Sequence, residues 1–283
     1  MSENNTYVLD PESVAEMTRL IQLDQFTTRA MGGPLEEHSD PSHLRHILDL
    51  ACGPGGWVLD VAFDYPEIDV MGVDISETMI RYAIARAQSQ QIPNASFGLM
   101  NITQPLDFAD ESFDLVNSRF LVGVLTRTAW PAFLQEGQRI TRPGGIIRLT
   151  ETEHGGLGLT NSPAFEQFSH LITQAMKWFG YGFSPHGRTF GITPMLERLL
   201  QNAGCQHPQS RSYVINFSAG TKTWADFYRN TQIGFQAIQP LLLKAGLATQ
   251  KDMDQLYEQT LIEMQQPDFC GVWPFVTSWG TRL

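Results

Sequence analysis

A short glycine-rich turn is the most informative chemical feature of this sequence. Residues 47–51 are mostly apolar, Gly53 and Gly55 follow, and a second apolar run begins at Trp57. Glycine has no Cβ atom, so a ligand can approach the backbone closely and positive φ angles are allowed. Backbone amides at the start of the following helix then face that ligand. The turn favours a bound ligand over the alternative of a ligand-free glycine turn.

An acidic residue ends the next apolar segment. Residues 70–73 are an apolar run, and Asp74 follows them, about 20 residues after the glycines, which is the spacing of nucleoside-binding units. A carboxylate at that place accepts hydrogen bonds from both hydroxyls of a ribose. Asp74 could instead cap the following helix, but Ser76 can do that. The two features together predict a ligand that contains a nucleoside.

The spacing of the glycines separates two classes of nucleoside ligand. The dinucleotide fingerprint G-x-G-x-x-G needs a third glycine for close packing of helix on strand. Val58 stands at that position, and Asp49 lies in the preceding strand, where the dinucleotide motif needs no acid. A dinucleotide-dependent oxidoreductase is therefore the less favoured alternative, and a binding protein without enzymatic activity has no positive support.

Four segments within residues 46–152 form one recurring pattern. They are LDLACGPGG, VMGVDIS, MNITQPLDFADESFDLV and RITRPGGIIRLTE. Together they resemble the class I S-adenosylmethionine-dependent methyltransferases, and more narrowly the small-molecule branch related to ubiquinone and menaquinone biosynthesis. The resemblance implies S-adenosylmethionine as cofactor and methyl transfer to a small molecule. Relatives of this fold that use the cofactor for other chemistry would show the same residues, so that alternative stays open.

The resemblance also implies a set of cofactor contacts. The acid of the first strand and the glycine turn face the methionine part, Asp74 binds the ribose, and Ile75 and Met79 flank the adenine. Asn101 stands where many members have an aspartate, and its amide can still accept and donate at the adenine edge. Arg119 has the alternative role of a surface salt bridge. The full implied set is Asp49, Ala51, Gly53, Gly55, Asp74, Ile75, Met79, Asn101, Ile102, Ser118, Arg119 and Phe120.

Methyl transfer requires little acid–base chemistry from the protein. The sulfonium donor is already activated, so the protein must hold a nucleophile in line with the methyl–sulfur bond and exclude water. A base is needed only where the acceptor must lose a proton. His154, just beyond the fifth predicted strand, titrates near neutrality and is the candidate base, with a structural loop histidine as the alternative. His186, in a turn-rich loop, is predicted to be structural.

Alternating apolar strands and helices predict the architecture that positions these residues. The pattern indicates an α/β fold with a Rossmann-like, mostly parallel sheet of seven strands and helices on both faces. Asp10 and Pro11 predict the start of an N-terminal helix, and residues 221–266 look helical throughout. The predicted division is an N-terminal helical lid (1–45), the cofactor-binding core (46–152), and the remaining strands with helical lid insertions (153–283), all within one domain.

Aromatic side chains cluster in the two insertions of the second half. Their helical spacing is typical of a hydrophobic core. Because the insertions lie outside the cofactor-binding core and next to the ligand edge of the sheet, we predict that they form a lid, with the N-terminal helix, over an apolar acceptor pocket. That helix could supply polar contacts, and a plain hydrophobic core is the alternative. The residues are Met176, Trp178, Phe179, Tyr181, Phe183, Trp224, Phe227, Tyr228 and Phe235, with Gln22, Gln25 and Arg29 on that helix.

Composition narrows the class of protein. The 283 residues carry a net charge of -11 and no basic block, which disfavours a nucleic-acid partner. Cys52, Cys205 and Cys270 are far apart, so neither a metal site nor a disulfide framework is predicted. No apolar run approaches the ~20 residues of a membrane span, and no signal peptide pattern is visible. We therefore expect a cytoplasmic enzyme without a metal and leave the oligomeric state open.

Overall fold

The computed structural model describes residues 6–38 and 40–283. These residues form a mixed sheet with helices packed on both faces. The strands are β1 His46–Leu50, β2 Asp69–Asp74, β3 Ala95–Leu99, β4 Phe113–Arg119, β5 Thr141–Thr152, β6 Leu159–Thr160, β7 Gln206–Asn216 and β8 Gly271–Thr281. The helices are α1 Val14–Met31, α2 Gly56–Asp64, α3 Glu77–Ser89, α4 Trp130–Ile140, α5 Pro163–Trp178, α6 Leu196–Asn202, α7 Trp224–Lys244 and α8 Gln250–Met264.

The sheet is parallel in its first half and antiparallel at its end. Strands β3, β2, β1, β4 and β5 are neighbours in that order and run parallel. β8 lies antiparallel between β5 and β7. The short strand β6 pairs with β8 at Val272, and β7 pairs with the same residue from the other edge of β8. β6 therefore lies on the same edge of β8 as β5 does.

The described residues form a sheet of eight strands, and the prediction of seven is wrong by one. The strand that was not predicted is β6. Two residues are too short to show an alternating pattern, so the sequence held no signal for this strand. The order of the strands reverses between β1 and β4. The carboxyl ends of these two strands therefore border the crevice in which open α/β sheets bind ligands.

Alternate residues of the central strands supply two cores. Leu48 of β1 belongs to the core under α4, α5 and α6, whereas Ile47 and Leu115 belong to the core under α2. This alternation follows from the two-residue period of a strand. Asp49 of β1 and Asn117 of β4 lie on the same face of the sheet as Ile47 and Leu115. Their polar side chains are consequently buried.

The N-terminal helix starts later than predicted. Ser13 caps α1 by accepting a hydrogen bond from the Glu16 amide, whereas Asp10 accepts one from the Glu12 amide in the turn before it. Both residue types cap helices well, so the sequence alone did not distinguish them. The ring of Phe26 packs on Phe227 of α7, with ring centroids 4.7 Å apart. Aromatic packing of this kind fixes α1 against the C-terminal half.

The C-terminal helical region is broken into two helices. α7 ends before Gly246, which has a φ of 67°, and Thr249 opens α8 with a capping box to Asp252. The prediction of continuous helix over 221–266 is therefore wrong at this turn. The signal was present, because a threonine followed three residues later by an acid marks a helix start.

Candidate functional site

A cavity lies at the carboxyl ends of β1, β2, β3 and β4. The turn after β1 forms one side of it, and the N-terminal segment (residues 6–12) and α1 cover it. Its position agrees with the reversal of strand order described above. The covering residues that line it are Thr6, Tyr7, Pro11, Arg19, Leu20, Leu23 and Asp24.

Most of the cofactor residues implied by the motifs line this cavity. Gly55 and Ser118 do not line it. A Cβ atom on Gly55 would come within 2.6 Å of the Phe97 ring, so this glycine allows close packing between the turn and β3. The members that line the cavity are Asp49, Ala51, Gly53, Asp74, Ile75, Met79, Asn101, Ile102, Arg119 and Phe120. Their contact with a cofactor remains a prediction.

The turn after β1 adopts the left-handed conformation repeatedly. Ala51, Gly53 and Gly55 have φ angles of 59°, 54° and 75°. A non-glycine residue rarely adopts this conformation, and such strain concentrates at functional sites. A Cβ atom on Gly53 would contact Leu20 and Met79 at 3.6 and 3.7 Å. Glycine at this position therefore keeps the cavity open beside the backbone.

Asp74 is held at the end of β2 by backbone amides. Its Oδ2 accepts from the Gly53 amide at 2.8 Å, and its Oδ1 accepts from the Ser76 amide at 2.9 Å. Burial raises the pKa of Asp74, and these backbone hydrogen bonds oppose that shift. A carboxylate offers about four acceptor sites. Asp74 therefore fixes the glycine turn and keeps acceptor capacity for ligand hydroxyls.

Asp49 is a buried acid on β1 whose charge is only partly compensated. Its Oδ1 accepts from the Asn117 amide group at 2.7 Å, and Asn117 in turn accepts from Arg148 at 2.5 Å. Burial raises the pKa of Asp49 to about 7, against the opposing effects of Arg119 and Asn117. A positive ligand group beside Asp49 would favour its ionised form.

A buried ion pair continues this chain of contacts away from the cavity. Arg148 binds Glu37, and both side chains are fully buried. The guanidinium also lies over the Trp57 ring, 5.6 Å from its centroid. These contacts connect the loop after α1 to β5, β4 and β1 through Asn117.

Arg119 forms an ion pair, but in the cavity and not at the surface. Its partner is Asp24 of α1, and the two side chains are 10% and 11% exposed. The guanidinium also donates to the Thr28 hydroxyl at 3.3 Å. Asp24 could not be identified from the sequence, because 95 residues separate it from Arg119 and no local motif marks it.

A second polar group at the cavity was also missed. Glu16 is buried and accepts from the Tyr7 hydroxyl at 2.6 Å and from Arg19 Nε at 2.7 Å. Burial raises the pKa of Tyr7 well above its usual value, so its hydroxyl stays a donor. The helical spacing of Glu16 and Arg19 was the only sequence signal. The group fixes the N-terminal segment on α1 at the edge of the cavity.

A buried acid at the end of β5 positions the loop after β4. Glu151 accepts from the Leu121 amide at 2.6 Å and from the Val122 amide at 3.4 Å. Burial raises the pKa of Glu151 to about 8. Leu121 and Phe120 line the cavity, so Glu151 acts on its shape through the backbone.

The residues predicted for catalysis and for the lid lie elsewhere. His154 does not line the cavity, and its carbonyl accepts from the Ser169 hydroxyl at 2.6 Å. Its role as a base remains a prediction. None of the predicted lid aromatics lines the cavity, nor do Gln22, Gln25 and Arg29. Phe227 and Phe235 are buried in the core, which favours the core alternative for these two, whereas Trp178 is 74% exposed and belongs neither to the core nor to the cavity wall.

Two further findings bear on the class of protein. Among the described residues, no group of three or more His, Cys, Asp or Glu side chains could hold a metal ion. No helix in the described part of the chain has the length and apolar character needed to cross a membrane.

Comparison with known proteins agrees with the motifs. Residues 47–145 match a family model described as a methyltransferase domain. A demethylmenaquinone methyltransferase of Lactococcus lactis is 33% identical over 166 residues, which cover 56% of this chain and 64% of that protein. A ubiquinone/menaquinone biosynthesis C-methyltransferase of Dinoroseobacter shibae is 31% identical over 115 residues, 39% of this chain and 44% of that protein. The matches thus span less than two thirds of these relatives.

Solved structures show the same fold over most of the chain. The YcgJ protein of Bacillus subtilis has a TM-score of 0.52 and 15% identity, and the match covers 84% of this chain and 92% of that one. Phosphoethanolamine N-methyltransferase 2 of Haemonchus contortus, solved with S-adenosyl-L-methionine, has a TM-score of 0.52 and 17% identity, covering 89% and 52%. Residues 47–145 of this chain therefore match a methyltransferase domain, and the chain resembles the enzymes of ubiquinone and menaquinone biosynthesis.

Proposed function

We propose that this protein binds S-adenosylmethionine in the cavity at the strand ends and transfers its methyl group to a small apolar or aromatic molecule. One observation carries the proposal: the glycine turn and Asp74 meet in one cavity, joined by the hydrogen bond from the Gly53 amide. The names of the matched relatives support a small-molecule acceptor.

The described residues fit the parts of this cofactor. Asp74 would accept from the ribose hydroxyls, and Ile102 and Met79 offer apolar surface for adenine. Asn101 Oδ1 accepts from the Thr103 amide and hydroxyl at 2.9 and 2.8 Å, which holds this side chain at the cavity wall. The methionine end would then lie toward β4, where Arg119 is placed.

The charges of the cavity favour a cationic ligand. Its charged lining residues are the acids Asp24, Asp49 and Asp74 and the arginines Arg19 and Arg119, and Glu16 balances Arg19. S-adenosylmethionine carries an ammonium, a sulfonium and one carboxylate, so it is a net cation. The pyrophosphate of a dinucleotide would instead face uncompensated carboxylates. The electrostatics therefore support S-adenosylmethionine over NAD.

The cofactor supplies an activated methyl group, and the chain supplies orientation and a dry environment. The cavity lining also includes the apolar side chains of Leu20, Leu23, Phe120, Leu121 and Val124, which would form the wall beyond the methionine end. Such a wall excludes water and suits an apolar acceptor. Holding the acceptor in line can contribute as much as ~7–11 kcal/mol to catalysis.

The proposal is tested by incubation with S-adenosylmethionine and a panel of small phenols and naphthoquinols. We expect one acceptor to gain the mass of a methyl group, with release of an equal amount of S-adenosylhomocysteine. Asp74→Asn should strongly reduce both signals, because it weakens cofactor binding. Asp69→Asn, at the exposed start of the same strand, should retain them. Consumption of the cofactor without a methylated product would contradict methyl transfer and favour other chemistry on the same cofactor.

A further inference from the structure

Asp24 enters the cavity from α1, outside the region that matches the methyltransferase family. Its Oδ1 binds Arg119 and accepts from the Thr28 hydroxyl at 3.3 Å. Its Oδ2 lies against Gly56, where a Cβ atom would stand only 1.8 Å away. Glycine at the start of α2 therefore permits this close approach of the carboxylate to the glycine turn.

The surroundings of Asp24 carry an excess of negative charge. Asp24 raises the pKa of both Asp49 and Asp60, whereas Arg119 lowers them. Burial is the largest cause of the raised pKa in each of these two acids. Of these acids, Asp24 and Asp49 line the cavity together with the Arg119 guanidinium, whereas Asp60 lies outside the cavity lining. A ligand group with a positive charge would relieve this imbalance.

The Asp24–Arg119 pair matches the amino-acid end of the cofactor in both charges. An ammonium needs an acceptor with negative charge, and a carboxylate needs a donor with positive charge. A guanidinium has five N–H donors, of which the contacts with Asp24 and Thr28 use two. The pair can thus keep its own contact and still bind a group of opposite charge on each side.

We propose that Asp24 binds the ammonium of S-adenosylmethionine while Arg119 binds its carboxylate, so that α1 forms part of the cofactor site. This inference rests on the proposed function. It also gives α1 a second effect, because Leu20 and Leu23 on the same helix line the apolar wall for the acceptor. Cofactor binding would hold that wall in place.

The test compares ligands with and without the amino-acid group. Titration calorimetry measures the binding of S-adenosylmethionine and of 5′-methylthioadenosine, which lacks that group, to the full chain. For Asp24→Asn we expect about a 10–100-fold loss of S-adenosylmethionine affinity, the usual cost of losing one charge-assisted hydrogen bond. The affinity for 5′-methylthioadenosine should change less than about threefold. Asp254→Asn, an exposed acid on α8, serves as the matched control and should bind both ligands as wild type does.

Three results would overturn the inference, and they are distinguishable. Equal losses for both ligands would assign Asp24 a purely structural role. Undiminished S-adenosylmethionine affinity in Asp24→Asn, with an unchanged thermal midpoint, would show that the ammonium binds elsewhere. Failure of the wild type to bind either ligand would contradict the proposed function itself. Asp24→Glu keeps the charge and should recover part of the lost affinity, which a simple packing role would not produce.

Discussion

Residues at the cavity differ in how their charges are compensated. Asp74 accepts hydrogen bonds from the Gly53 amide of the glycine turn and from the Ser76 amide just after β2. Asp49 depends on Asn117 and on more distant arginines, so burial keeps its pKa near neutrality. The structure therefore predicts that the binding of a cation to this cavity depends on pH in the neutral range.

The affinity for S-adenosylmethionine should rise with pH up to about 7 and then level off. Below a pKa of about 7, Asp49 is protonated in the empty cavity, and a cationic ligand must displace that proton to bind beside a carboxylate. The loss can reach at most tenfold per pH unit below that value. Calorimetry in buffers with different ionisation heats measures both the affinity and the proton released.

Asp49→Asn removes the titrating group and supplies the control for this pH dependence. Its affinity should be lower at pH 8 by about 10-fold and nearly flat across the same range. A flat profile in wild type, or a pH dependence that survives in Asp49→Asn, would contradict the assignment of the titration to Asp49.

The elements of the fold are held in position by buried contacts that link distant parts of the chain. The loop after α1 binds β5 through the pair Glu37–Arg148, whose members are 111 residues apart. The start of α2 lies against α1 at Gly56. Both contacts position elements that surround the cavity. The contact between Glu37 and Arg148 should therefore affect the stability of the fold, and the contact at Gly56 should affect ligand binding.

Arg148→Met should destabilise the fold by about 3–5 kcal/mol, because it leaves the Glu37 carboxylate buried without its partner. Chemical denaturation measures the loss. The double variant Glu37→Gln with Arg148→Met removes both charges and should be clearly more stable than Arg148→Met alone. If the two changes instead add, the pair does not act as a unit.

Gly56→Ala should lower the affinity for S-adenosylmethionine at least about tenfold, since the new Cβ atom would overlap Asp24 Oδ2 and force that carboxylate to move. Gly137→Ala is the matched control in α4, where a Cβ atom meets Ile147 at an ordinary 3.7 Å. That variant should bind as wild type does. Normal affinity in Gly56→Ala would show that the position of the Asp24 carboxylate does not matter for the cofactor.

At the scale of the whole molecule, the N-terminal segment and α1 cover a site whose other walls come from the sheet. The segment is anchored at both ends: the Val8 amide donates to Gly123 O at 3.0 Å, and the Ser76 hydroxyl donates to Pro11 O at 2.9 Å. It lies across the cavity between the loop after β4 and the start of α3. We expect this cover to open for the entry of a cofactor and to close again over it.

Hydrogen exchange should report this closure. On addition of S-adenosylmethionine, we expect slower amide exchange in residues 6–31 and 120–124, because ligand binding stabilises the closed arrangement. Exchange in β7, on the far side of β8, should stay unchanged. Uniform slowing throughout the chain would indicate global stabilisation without a specific effect on the cover.

How much the sequence predicted depends on how local each feature is. The strand–turn–helix unit at Gly53 and the acid at the end of β2 are short motifs, and both were located correctly. The pairs Asp24–Arg119 and Glu37–Arg148 join residues 95 and 111 positions apart, and no periodic pattern marks them. The lid aromatics were ambiguous because a core helix and a lid helix share the same spacing.

The most direct test of the account is calorimetric titration of the wild-type protein with S-adenosylmethionine and with NAD. We expect the wild type to bind S-adenosylmethionine saturably and not to bind NAD. The affinity for S-adenosylmethionine should fall at least about tenfold in Asp74→Asn and stay unchanged in Asp69→Asn. If Asp74→Asn kept its thermal midpoint and bound S-adenosylmethionine as tightly as wild type, the assignment of this cavity to the cofactor would be wrong.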